Sequence, residues 1–371
     1  MNAVAHGAQS RCNAPPSLDV AAPPRFTGAV HQAFKGVQQT LAGAGLQQGD
    51  TVLVACSGGA DSLALAACAA VAAREVGATT RRRGFRVKVG AVVVDHQLQA
   101  RSRQVAETAA QQCRELGLNP VEVVAVDVGH GGGMEAAARA ARYAALDAAA
   151  ARLGAARVLL GHTLDDQAEG VLLGLARGSG SRSLAGMAAQ TGLCLRPFLQ
   201  VRRATTERIC DLFGVEPWED PSNSQLIATR NRVRAKAIPA LRDAVGHDPA
   251  PALARTAEIL REDADALDQL AQQLFDKSTA AESCAGATNG LAETGGSVVV
   301  LDVATLAAAP AAVRHRAVRL AAIQAGVVAD RMSRAQAIAV DALVTDWHGQ
   351  AAHQLPGNVA ARRAGGALRF E

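Results

Sequence analysis

Two stretches of the chain combine residue types at spacings suited to chemistry on a phosphate ester. Ser57-Gly58-Gly59-Ala60-Asp61-Ser62 follows the apolar, β-branched run TVLVAC and precedes an apolar run over residues 63–76. This pattern predicts a buried strand, a tight turn and the opening of a helix. Gly58 and Gly59 let backbone amides approach an anion closely, the hydroxyls of Ser57 and Ser62 add donors, and the helix N-terminus adds positive potential. The turn therefore has phosphate-cradling geometry. It lacks the lysine of a Walker A loop and the third glycine of a dinucleotide fingerprint, which disfavours both of those sites.

The second stretch is Gly161-His162-Thr163-Leu164-Asp165-Asp166-Gln167-Ala168-Glu169. Asp166 and Glu169 are three apart in the first turn of a predicted helix, and Asp165 and Glu169 are four apart, so both pairs share a face. Asp165 alone is accounted for as an acidic residue at a helix N-terminus, worth about 0.3–1 kcal/mol. Asp166 with Glu169, beside His162, makes a pocket for a cation, either magnesium on a triphosphate or an amino group.

The elements that must position these residues follow from periodicity. Strands are expected at 51–56, 85–94, 121–126 and 157–160, alternating with helices at 62–76, 101–117, 134–153 and 165–176. Near-continuous apolar strands of this kind imply a parallel sheet covered on both faces, with ligands beyond the carboxyl ends of the strands. The second strand ends at Asp95-His96-Gln97. The third is followed by a glycine run, 129–133, and a helix on which Glu135, Arg139 and Arg142 share a face. A single polar residue after a strand is usually a turn former. Four strands ending on polar groups along one edge mark a site.

Downstream, nine Lys or Arg face five acids between Arg196 and Arg242, an excess of four that equals the net charge of the whole chain. Arg230 and Arg234 lie one helical turn apart, placed to grip phosphates together, and Asn231 offers a more directional bond. Beyond that region the pattern gives an amphipathic helix at 249–273, a loop at 277–296, a strand at 298–303, helices at 311–325 and 333–344, and short strands to residue 370. The expected organisation is a disordered tail over 1–25, a catalytic domain over 26–242 and a helical substrate-binding domain with a terminal hairpin over 243–371.

Composition narrows the class further. The 371 residues are 49% hydrophobic and 19% charged, a globular profile in which no apolar run reaches the length of a membrane span. The first 25 residues lack the apolar core and basic start of a signal peptide. Seven scattered cysteines without a CxxC pair argue against a disulfide framework, a zinc site or an iron–sulfur cluster, and fit a reducing cytoplasm.

Taken together, SGGADS, VVVDHQLQ, EAAARAARY, GHTLDDQAE, RGSG, RPF, DPSN, RNRVR and LPGN resemble the tRNA(Ile)-lysidine synthetases of the PP-loop ATP pyrophosphatase superfamily, in the family's order, over about residues 28–370. The resemblance implies an α/β fold: a parallel-sheet PP-loop ATP pyrophosphatase domain followed by a mainly helical tRNA-binding domain. It implies a reaction in which ATP adenylates the wobble cytidine of a tRNA(Ile) with a CAU anticodon and free lysine displaces AMP. Ser57, Gly58, Gly59, Ala60, Asp61, Ser62, Asp95 and His96 would then bind ATP, and Asp61 would also hold Mg²⁺. Asp61, Asp166 and Glu169 would be catalytic; Asp166, Glu169, Arg139 and Arg142 would receive lysine. Arg196, Arg202, Arg203, Arg230, Asn231 and Arg234 would meet the tRNA. The chain departs from the family pattern at Gln97 and Gln99, where Gly and Arg are usual, and at Gly170, where Thr is usual. A tRNA thiolase of the same fold and a non-catalytic nucleotide sensor are the alternatives. The first is disfavoured because Cys56, the only cysteine beside the turn, sits in an apolar strand, the second because binding ATP does not require so many carboxylates. The oligomeric state is left open, with a homodimer as one option.

Overall fold

Strand β1 (Thr51–Cys56) shows how the sheet is made. Successive side chains alternate across a strand, and here both faces are apolar. Val52 and Val54 join a core with Leu41, Leu63 and Ala109. Leu53 joins a second core with Val92, Leu146 and Val158. A strand covered on both sides belongs in the interior of a parallel sheet. The structure, a computed structural model, describes residues 26–78, 84–97, 101–127, 134–219, 228–284 and 298–371. The expected tail over 1–25, the glycine run 129–133, Gln99 and the DPSN turn lie outside those residues.

In chain order the first part comprises α1 (Gly28–Gly43), β1, α2 (Ala60–Ala72), β2 (Lys88–Asp95), α3 (Ser102–Glu115), β3 (Val121–Ala125), α4 (Met134–Arg152), β4 (Ala155–Leu160) and α5 (Leu164–Ala176). A short α6 (Ser181–Leu184) precedes a tight hairpin of β5 (Gln190–Thr191) and β6 (Cys194–Leu195). Then come α7 (Arg203–Phe213), α8 (Thr229–Arg232), a π-helical turn (Val233–Ala237), α9 (Ile238–Val245) and the 35-residue α10 (Ala250–Cys284).

The six strands run in the order β3-β2-β1-β4-β6-β5, parallel except for β5. Helices α1, α2, α3 and α7 contribute to the core on one face, and α4 covers the other. The chain winds outward from β1 to β3, then returns through α4 to β4 beside β1. Between β1 and β4 the order reverses, and such a switch point leaves a crevice at the carboxyl ends of the strands.

The chain divides into two compact units, Met1–Glu258 and Ile259–Glu371. Beyond α10 the second unit contains β7 (Val299–Asp302), α11 (Val303–Ala307), α12 (Ala311–Gln324), α13 (Arg334–Thr345), β8 (His353–Leu355), β9 (Val359–Ala364) and β10 (Ala367–Phe370). Its antiparallel sheet, β7-β10-β9-β8, encloses Leu301, Leu368 and Phe370 with Val318 of α12 and Val340 of α13. The terminal strands are thus part of a four-stranded sheet rather than a lone hairpin, because β10 pairs with β7 as well as β9. The loop expected from residue 277 is corrected over 277–284, which continue α10. Ser278 and Thr279 donate to the carbonyls of Leu274 and Phe275 at 2.7 and 2.9 Å, a back-bonding that lets hydroxyl residues remain helical. Among the described residues no helix is long and apolar enough to cross a membrane.

Candidate active site

The glycine-rich turn forms as its sequence requires. Gly58 takes φ +82°, a left-handed conformation open to glycine without cost, and Gly59 is the N-cap of α2. Ser62 Oγ donates to the Gly59 carbonyl at 2.9 Å and accepts from the Ser57 amide at 3.1 Å, closing the turn on itself. On the other side of the switch point, Gly161 packs so tightly that a Cβ there would lie 2.9 Å from the Asp61 carbonyl oxygen. Asp61 thereby faces the acidic segment that begins α5.

Thr163 and Asp166 form a reciprocal capping box. Asp166 Oδ2 accepts the Thr163 amide at 2.8 Å and its hydroxyl at 3.0 Å, while Thr163 Oγ1 accepts the Asp166 amide at 3.4 Å. This locks Asp166 and turns Oδ1 toward three guanidinium groups, Arg203 at 3.1 Å, Arg230 at 3.3 Å and Arg234 at 3.6 Å. Glu169 is fully buried. It accepts from Arg230 Nε at 2.8 Å and Arg234 Nε at 2.7 Å, with Arg203 at 3.5 Å. Asp61 completes the cluster through Arg203 Nε at 3.4 Å and through the Thr206 hydroxyl at 2.5 Å. Three carboxylates and three guanidiniums are thus interlaced, which a buried cluster requires because an unpaired buried charge is costly. Burial is the main influence on the Asp61 carboxyl and raises its pKa, with Thr206 and Arg203 acting in opposition.

Several residues expected at the tRNA backbone are engaged inside the fold. Arg196 is buried and donates to the Ala188 carbonyl at 2.8 Å and to Thr191 Oγ1 at 3.1 Å, which ties it to the segment before β6. Arg202 forks onto Asp165 at 2.9–3.2 Å and also reaches Asp248. Arg203, Arg230 and Arg234 sit on the acidic cluster, with Asn231, half-buried, on the same turn as Arg230. Asp165 is more than a helix-terminal charge, because it also accepts the Arg203 amide at 2.8 Å and so anchors the start of α7. Thr206, which the sequence did not single out, holds Asp61.

A second corner is cationic. Arg139 and Arg142 lie over the Tyr143 ring, at 5.1 and 5.6 Å from its centroid, and Arg196 donates to the Tyr143 hydroxyl at 3.4 Å. His162 lies in the field of Arg142, Arg196, Arg230 and Arg139; burial first, then these charges, push it down to about 3. It is a neutral imidazole. Buried and without a hydrogen-bond partner among the described residues are His96 Nδ1, His162 Nδ1, Arg142 Nε and Arg196 Nε. Buried donors left open in this way suit an anionic ligand group. Asp95 is buried at the end of β2 and accepts the Gln97 amide at 2.9 Å. Gln97 itself has φ +54°, so the turn keeps the left-handed form that glycine would take.

No group of three or more His, Cys, Asp or Glu that could hold a metal occurs among the described residues. Asp61, in the first turn of α2, would offer one carboxylate oxygen to magnesium carried by a nucleotide, whose phosphates and waters would supply the other ligands. The five described cysteine thiols, at 56, 68, 113, 194 and 210, are free and buried, and burial pushes Cys68 and Cys210 up to about 12.

A phosphate-cradling turn at the switch point of a parallel sheet, with an acidic helix start opposite, defines a PP-loop enzyme domain, and residues 29–241 match the PP-loop domain family. Residues 301–369 match the TilS substrate binding domain. The chain is 51% identical over 327 residues to the tRNA(Ile)-lysidine synthase of Streptomyces coelicolor, covering 87% of this chain and 86% of that one. To the enzyme of the same name from Thermobifida fusca it is 48% identical, covering 87% and 92%. The chain belongs to the tRNA(Ile)-lysidine synthase family. The fold is shared more widely: the U34-tRNA thiolase of Methanococcus maripaludis superposes with a TM-score of 0.50 at 16% identity, over 63% of this chain and 80% of that one.

Proposed function

We propose that this protein joins lysine to C2 of the wobble cytidine of a tRNA(Ile) with a CAU anticodon, in the cytoplasm, splitting ATP to AMP and pyrophosphate. The observation that carries the reading is the convergence of Asp61, Asp166 and Glu169 at the β1–β4 switch point.

The amides at the start of α2, with Ser57 and Ser62, would take the triphosphate, and Asp95 and His96 at the end of β2 would border the nucleotide. The C2 carbonyl oxygen of cytidine attacks the α-phosphorus and pyrophosphate leaves, its growing charge met by the PP-loop amides. Magnesium bound at Asp61 would neutralise charge on the triphosphate. Lysine then attacks C2 through its ε-amine, the bond from C2 to the AMP oxygen breaks, and the amine proton passes to Asp166 or Glu169. These two carboxylates are already matched by arginines, so the incoming ammonium is balanced by the charge ATP brings. The open donors of the cationic corner, with Arg139 and Arg142, suit the α-carboxylate of lysine. Arg230, Asn231 and Arg234 would meet the anticodon backbone. Thiol chemistry is disfavoured because the five described thiols, Cys56 beside the turn included, are buried.

Purified protein supplied with ATP, Mg²⁺ and the folded CAU-anticodon transcript is expected to incorporate labelled lysine and no labelled sulfur. Asp61→Ala should abolish pyrophosphate release, whereas Asp166→Ala should mainly raise KM for lysine. Lack of lysine incorporation into folded tRNA would overturn the assignment.

A further inference from the structure

Three consecutive contacts on the PP-loop come from one downstream segment. The Thr206 hydroxyl donates to Asp61 Oδ1 at 2.5 Å, Cys210 Sγ to the Ala60 carbonyl at 3.4 Å, and the Trp218 amide to the Gly58 carbonyl at 2.9 Å. In a trans peptide the carbonyl of one residue and the amide of the next point in opposite directions. Holding the Gly58 and Ala60 carbonyls against residues 210–218 therefore turns the Gly59 and Asp61 amides the other way. Gly58 cannot easily shift in compensation, because a Cβ there would already lie 3.1 Å from Ala109 Cβ of α3.

Besides the Trp218 amide, one side chain holds the end of this segment. After α7 the chain leaves through Gly214 and, among the described residues up to 219, pairs with no strand. The Gln112 amide of α3 instead accepts from the Glu216 amide at 2.9 Å and donates to the Glu216 carbonyl at 3.1 Å, as a neighbouring strand would. A cavity of about 240 Å³ lined by Gly58, Thr108, Gln112, Glu216 and Trp218 lies alongside, so close packing does not replace those bonds. We propose that residues 203–218 are a brace that sets the PP-loop amides for the triphosphate, with Gln112 as its positioning residue. The inference rests on ATP being the substrate of this loop.

The chain has two tryptophans, Trp218 and the exposed Trp347, so a Trp347→Phe parent reports on Trp218 alone. In that parent, Gln112→Ala should raise KM for ATP, and the midpoint of the ATP-dependent Trp218 emission change, by about three- to five-fold, in line with the loss of two exposed hydrogen bonds. KM for lysine and Tm should stay at the parent values. Gln112→Glu keeps the acceptor for the Glu216 amide and should recover part of the loss. An unchanged KM for ATP in Gln112→Ala, or a joint rise for ATP and lysine with a lowered Tm, overturns the brace. A parent that neither binds ATP nor incorporates lysine overturns the functional reading instead.

Discussion

His162 lies in the field of four guanidinium groups, those of Arg142, Arg196, Arg230 and Arg139. Beside two carboxylates in sequence, an imidazole reads as part of an acidic pocket. In the fold it faces guanidiniums, because α4 and the segment after β6 bring Arg142 and Arg196 to it. Its folded pKa of about 3 lies below the ordinary 6.5. The contribution of His162 to stability is therefore complete above about pH 6.5 and is lost as pH falls toward 3, since the unfolded chain takes up a proton there that the folded one refuses. Replacing His162 by Asn should lessen the stability lost between pH 7 and pH 5 by about 2 kcal/mol, measured by urea denaturation at the two pH values. A loss equal to that of the unsubstituted protein would place His162 in contact with solvent. By contrast, the residue types of Ser57 to Ser62, Asp166 and Glu169 were legible, because strand, turn and helix start are local properties of sequence.

At the scale of elements, the four long parallel strands and their helices follow from apolar periodicity, whereas β5 and β6, two residues each, carry no periodicity to read. The arginines were the larger gap. Arg203 meets Asp61 across 142 residues of chain and Arg230 meets Glu169 across 61. Pairings of that separation depend on where α7 and α8 come to lie, so the sequence showed only a basic stretch with no internal partner. The second unit uses the same device in its core. Arg314 of α12 is buried on Asp341 of α13 at 2.5 and 3.0 Å and also bonds the Ala309 carbonyl, while His315 approaches Asp341 at 3.2 Å. Asp341→Ala strands a buried guanidinium and should cost about 3–5 kcal/mol. The double variant Arg314→Met, Asp341→Leu should cost much less; equal losses in denaturant titrations would show that the ion pair is not what joins the two helices.

For the whole molecule, the net charge of +4 is small, yet its excess lies between Arg196 and Arg242. Much of that excess is spent within the acidic cluster, which is why total charge overstates what is left for nucleic acid. With about four phosphate contacts, the affinity for tRNA should fall by about ten- to a hundred-fold between roughly 50 and 200 mM salt, as counterion release requires. Filter binding across that range checks it, and a flat response would exclude a backbone-driven interface.

The chain contains one tyrosine, Tyr143, and its ring and hydroxyl gather Arg139, Arg142 and Arg196. Fluorotyrosine supplied during expression would consequently label a single position, with no substitution needed. Its one fluorine resonance would report any change of charge among those guanidiniums, a spectroscopic handle independent of turnover.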